Sequence, residues 1–152
     1  MIGPRSIVVG ARAVLGLGAV CLAGLMLAPA FQGAERYFGL TDSEAHAIAF
    51  YGLTVLTILA APRMRRNDLA LAMVAIGAAM EVAQSFTGRD ASFSDLFADS
   101  IGVLAAWAPT QVERVRRLAR AHPYLSFAEI RAMDRRRKAP AIAAADGAER
   151  AV

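Results

Sequence analysis

Four apolar runs of near-spanning length dominate this chain, and the last two carry acids where a bilayer would make them costly. The runs are Ala13 to Phe31, Ala45 to Ala61, Leu69 to Phe86 and Phe93 to Pro109. Each is close to the lower limit of about 17 residues for a helix that crosses the hydrocarbon core. The third holds Glu81 and Gln84 and the fourth holds Asp95 and Asp99, joined by the short turn TGRDAS with Arg89 inside it. An ionisable group at the centre of a membrane helix costs about 2.5 to 3.5 kcal/mol on insertion scales and by default marks a functional site.

Composition agrees with this class. Of the 152 residues 57% are hydrophobic, so the sequence predicts an all-α, multi-pass membrane protein with four transmembrane helices and not a soluble domain. The expected organisation is a transmembrane domain over 1–109, cytoplasmic basic amphipathic helices over 110–138 and a disordered tail over 139–152. Cys21 is the single cysteine, so no disulfide framework exists within one chain. A competing reading of the first run is a cleaved signal peptide, because Arg5 and Arg12 precede it and Ala28, Pro29 and Ala30 form an A-x-A pattern near its end.

The charges set an expected orientation. Fifteen lysines and arginines fall at the N-terminus, in the PRMRRND loop and after the fourth run, against only Arg36 and Arg89 on the other side. The positive-inside rule therefore predicts cytoplasmic termini and outward-facing QGAERYFGLTDSE and TGRDAS loops. The net charge of +4 reflects that topology, and no nucleic-acid partner is expected.

With this orientation the polar groups gather at the outer leaflet. At 1.5 Å per residue Glu81 lies about 7 Å below the outer end of its helix and Asp99 about 9 Å below the start of the next. Glu81 and Gln84 share a face, as do Asp95 and Asp99, and Gly102 continues the second stripe as a small residue suited to close helix approach. His46 joins from the second run, with Asp42 one turn above it. Acids at one depth repel unless they are protonated, paired with Arg89 or bound to a cation. Asp42 also reads as a helix N-cap, and Ser92-x-x-Asp95 as a capping-box variant.

Asp42-x-x-x-His46, then Glu81-x-x-Gln84 followed by Arg89, then Asp95-x-x-x-Asp99-x-x-Gly102, together resemble the VanZ-like membrane proteins, named after an accessory protein of glycopeptide (teicoplanin) resistance. The resemblance covers about Thr41 to Trp107. This chain departs from the family pattern at Ser43, where the family usually has a lysine, and at Asp99, where it usually has an asparagine. The resemblance implies an envelope-associated membrane protein and no defined reaction.

In a substrate site Arg89 would neutralise an anionic head group, with Gln84, Asp95 and Asp42 as further substrate-binding candidates. Glu81 or Asp99 with His46 would serve as general acid or base. The implied partners are membrane lipids and an amphiphilic substrate such as a lipid-linked envelope precursor. The alternatives are a non-enzymatic membrane subunit whose polar residues specify helix packing, and a proton-coupled carrier. One histidine and three carboxylates could bind a divalent cation, but no H-E-x-x-H, cysteine pair or second intramembrane histidine supports a metal, and Rossmann and P-loop glycine patterns are absent, so no metal or cofactor is expected. After the fourth run, Val112, Val115 and Leu118 alternate with arginines as in a basic helix on an anionic leaflet. A further short helix is expected from Ser126, capped by Glu129, with Phe127, Ile130 and Met133 on one side.

Overall fold

The computed structural model describes residues 3–31, 33–87 and 92–133. Among them every regular element is helical, and three helices are long and apolar enough to cross a membrane. These are α1 (Pro4–Leu27), α2 (Asp42–Ala60) and α3 (Arg66–Thr87). The fourth helix, α4 (Phe93–Ala121), is not one of the three, because Asp95, Asp99 and the serines of its first turns lower its hydropathy. The chain divides into two compact units, one up to Gln111 and one from Val112.

The helix boundaries follow local chemistry more closely than hydropathy. Pro4, which lacks an N–H that the first turn would leave unused, starts α1 well before the apolar run predicted from Ala13. The helix stops at Ala28, whose extended conformation is the one imposed on a residue before proline. Gly39, at φ +71°, closes the short 3-10 turn Ala34–Phe38 in a left-handed conformation that a side chain would strain. Thr41 then caps α2. Its hydroxyl accepts from the Glu44 amide and the Glu44 carboxylate accepts from the Thr41 amide, so α2 begins at Asp42 and not at Ala45. Asp42 is thus the first helical residue and not the cap.

Helices α2, α3 and α4 each bury a narrow stripe. On α2 it is His46, Phe50 and Thr54, on α3 Leu69, Met73, Gly77, Glu81 and Gln84, and on α4 Asp95, Ala98, Asp99, Gly102, Val103 and Ala106. The spacing of three and four residues puts each set on one helix face. The apolar core joins Met26, Phe50, Met73 and Val103. Large apolar side chains such as Leu17, Val20 and Leu71 remain exposed, which suits contact with lipid tails. In that medium apolar burial between helices gains little, so small residues and interhelical hydrogen bonds carry the association.

Two sets of contacts hold the two ends together. At one end Gln84 on α3 donates to the Met26 carbonyl on α1 (3.0 Å), and Ser43 on α2 donates to Asp95 on α4 (2.7 Å). At the other, the Arg12 guanidinium donates to the Ala60 carbonyl near the C-terminus of α2 (2.9 Å). There too, Asn67 on α3 accepts from the Trp107 indole (3.0 Å) and from Gln111 (3.1 Å) on α4. Chain neighbours therefore run antiparallel, and the C-terminal ends of α1 and α3 meet the N-terminal ends of α2 and α4.

In the second unit Glu113 pairs with Arg120 (2.9 Å) and Arg116 (3.6 Å). A short helix over 127–133 begins as expected, with Ser126 and Glu129 forming the reciprocal cap. The Ser126 hydroxyl and amide hold the exposed Glu129 carboxyl below the usual carboxylate range. Of its expected apolar side, Ile130 is buried while Phe127 is exposed. The expectations for Arg135 to Lys138 and for the tail over 139–152 lie outside the described residues.

Candidate functional site

The polar residues of α2, α3 and α4 converge where the three stripes meet. His46 lies one turn into α2 and is 2% exposed. Its Nδ1 stands 3.0 Å from Asp99 Oδ1, and Asp99 is fully buried. The carboxylate accepts there from an Nδ1–H, leaving the other ring nitrogen turned to Asp42, whose Oδ1 is 4.0 Å from Nε2.

Two glycines make this approach possible. Gly77 on α3 lies against Asp99, and a methyl group there would sit 2.8 Å from Oδ2. Gly102 on α4 lies against the α2 backbone, where a methyl group would overlap the Ala47 carbonyl. The sequence reading of Gly102 as a close-approach residue thus corresponds to direct backbone contact with α2. Gly77 was missed, although its position four residues before Glu81 on the same face was a usable signal.

One turn above Asp99, Asp95 is buried and accepts from Ser43 Oγ, which also shares a hydrogen bond with Ser94 (3.1 Å). Ser43 drew notice in the sequence only as the position of a missing lysine, and its role as the donor to Asp95 needed the tertiary structure. Glu81, 8% exposed, accepts from the Ser92 amide at the start of α4 (2.9 Å). The capping-box reading of Ser92 and Asp95 is therefore corrected: the Ser92 amide is bonded by Glu81 of α3, and the Asp95 side chain turns to Ser43. Gln84 is committed to the Met26 carbonyl, which makes it a tether between α1 and α3. Arg89 and Asp90 lie outside the described residues.

Two buried oxygens in this cluster, Glu81 Oε1 and Asp99 Oδ2, have no hydrogen-bond partner among the described residues. Leaving a buried carboxylate oxygen unpaired costs roughly 1 to 3 kcal/mol or more. Donor atoms of His46, Glu81 and Asp99 all lie within 4.8 Å of one another, as do those of Asp42, His46 and Asp95. Either set has the chemistry to hold a cation.

The cluster adjoins two cavities. One, of about 210 Å³, runs between α1, the 3-10 turns and α2, with Leu22, Leu25, Phe38 and Ala49 in its wall and His46 and Asp42 at its polar side. The other, of about 120 Å³, reaches Glu81 between Ser92, Phe93 and Leu96. No family model, curated protein or solved structure matches the chain.

Proposed function

We propose that this chain is a small, VanZ-like integral membrane protein of the bacterial inner membrane that binds an amphiphilic, anionic envelope substrate, such as a lipid-linked precursor. The observation that carries this reading is the meeting of an apolar cavity with the buried polar cluster at His46, with Asp42 beside it. The Leu22, Leu25 and Phe38 wall would cover only the part of an acyl or polyprenyl chain next to its head group. The head group would then lie among Asp42, His46 and the acid–base groups Glu81 and Asp99, with Arg89 as its counter-charge. The apolar half of such a ligand supplies affinity, and the few polar groups fix its orientation.

Filling the cavity tests this reading. The wild-type protein should co-purify in mild detergent with a lipid-like species, as read by mass spectrometry of extracts, and Ala49→Phe should remove most of it while circular dichroism stays unchanged. Equal retention by a folded variant would rule out the cavity as the binding site.

The reading also includes a fourth membrane span, in the first part of α4, with both termini in the cytoplasm and the polar end facing out. The asymmetry of fifteen basic residues to two supports this orientation. With Cys21 replaced by alanine, a cysteine at Thr87 should react with an impermeant thiol reagent added outside cells, and one at Arg65 only after the membrane is opened. Reaction of both from outside would overturn the topology.

A second reading, a non-enzymatic subunit whose polar cluster specifies helix packing, is favoured by the way most of these residues join two helices. His46–Asp99, Ser43–Asp95, Glu81–Ser92 and Gln84–Met26 are all such links. The two unpaired buried oxygens weigh against it, because a purely structural link gains nothing from them.

A further inference from the structure

We infer that His46, Glu81 and Asp99 form a binding site for a divalent metal ion. No metal motif is legible in the sequence, because each ligand comes from a different helix and no two are close in the chain. Only the packing of α2, α3 and α4 brings their donor atoms within 4.8 Å of one another.

Two independent features point to an ion. The first is the pair of orphaned oxygens: Glu81 Oε1 and Asp99 Oδ2 are buried, belong to side chains more than nine-tenths buried, and accept no hydrogen bond from any described residue. A cation is the partner that satisfies two converging carboxylates together, and it removes the repulsion between them. The second is the histidine: a donor nitrogen of His46 lies within 4.8 Å of donor oxygens of both carboxylates, and an ion taking the place of the Nδ1 proton would supply the positive charge that both acids lack.

The surroundings fit as well. A metal-ligating imidazole is usually oriented by a carboxylate at its other nitrogen, and Asp42 stands on that side of His46. The Ser92 amide holds the second oxygen of Glu81 and so fixes the carboxylate in place. The cavity between Ser92, Phe93 and Leu96 reaches Glu81 and gives an entry path. One imidazole and two carboxylates form an oxygen-rich set that suits Mn²⁺ or Zn²⁺ and leaves coordination positions open for water or a substrate oxygen.

Metal binding does not depend on the amphiphile reading. It deepens that reading in one respect, since an ion would let an acidic cluster accept an anionic head group.

The test uses the full chain in detergent, freed of metal with EDTA and titrated with Mn²⁺ alone. One Mn²⁺ per chain should bind, and its pulsed EPR spectrum should show coupling to a single imidazole nitrogen. Glu81→Gln, which keeps the shape of the side chain, should weaken binding by more than about 100-fold and Asp42→Asn by about 10-fold. Absence of stoichiometric binding overturns the proposal, as does Mn²⁺ bound without nitrogen coupling. The wild-type spectrum alone decides the point should a variant fail to fold. Lipid retention that persists in metal-free protein would leave the amphiphile reading standing while the metal site failed, so the two are separable.

Discussion

His46→Leu should be the most damaging single substitution in the polar cluster of metal-free protein. It removes the only hydrogen-bond partner of Asp99 among the described residues, a carboxylate with no exposure to solvent that lies close against Gly77. Breaking a buried pair from one side costs about 3 to 5 kcal/mol, because the remaining charge must be kept without compensation or neutralised. Replacing both partners is different. His46→Leu combined with Asp99→Leu removes both desolvation penalties and should recover most of the loss. Asp99→Asn should be mild, since an amide oxygen still accepts from Nδ1–H. Reversible unfolding in mixed micelles with EDTA present, arranged as a double-mutant cycle, measures this coupling. A His46→Leu variant within about 0.5 kcal/mol of wild type would show that the pair contributes nothing to the bundle.

Gly102→Ala should rival it, for a steric reason. The added methyl would overlap the Ala47 carbonyl and come within 2.9 Å of the Tyr51 amide, and backbone cannot move aside as a flexible side chain can. α2 and α4 must separate, at a cost of about 1 to 3 kcal/mol for overpacking, and a larger residue should cost more. Separation also pulls His46 from Asp99, because the two sit on the same pair of helices within a turn of the contact. Gly52→Ala is the matching control: a methyl there meets open space, and alanine is the better helix former by up to about 1 kcal/mol. The two variants should therefore shift the unfolding midpoint in opposite directions. Equal midpoints would mean that α2 and α4 do not meet at Gly102.

The site was partly legible before the fold was known. Glu81, Asp95, Asp99 and His46 stood out because acids and a histidine in apolar runs are costly, and helical spacing already put Asp95 and Asp99 on one face. What could not be read was the pairing. Asp99 might have turned to Glu81, to Arg89 or to His46, and those choices differ by a rotation of one helix about its axis. Asp95 and Ser92 looked like partners in one cap because they are near in sequence. The packing instead sends each to another helix, Asp95 to Ser43 on α2 and Ser92 to Glu81 on α3. Gln84 looked like a site residue and is a tether to α1, since the Met26 carbonyl at the end of that helix lies within its reach.

The all-helical class, the membrane-compatible apolar runs and the capped helix at Ser126 came from the chain alone, because hydropathy, proline position and capping chemistry act over a few consecutive residues. The exact limits of α1 and α2 were legible in principle from Pro4, Pro29 and Thr41, and were blurred by reading hydropathy first. The tertiary structure alone decided which carboxylate faces which nitrogen, which oxygens are left without a partner and where donor atoms converge. Those outcomes depend on how closely α2, α3 and α4 approach, and that approach is set by Gly77 and Gly102 meeting surfaces contributed by distant parts of the chain.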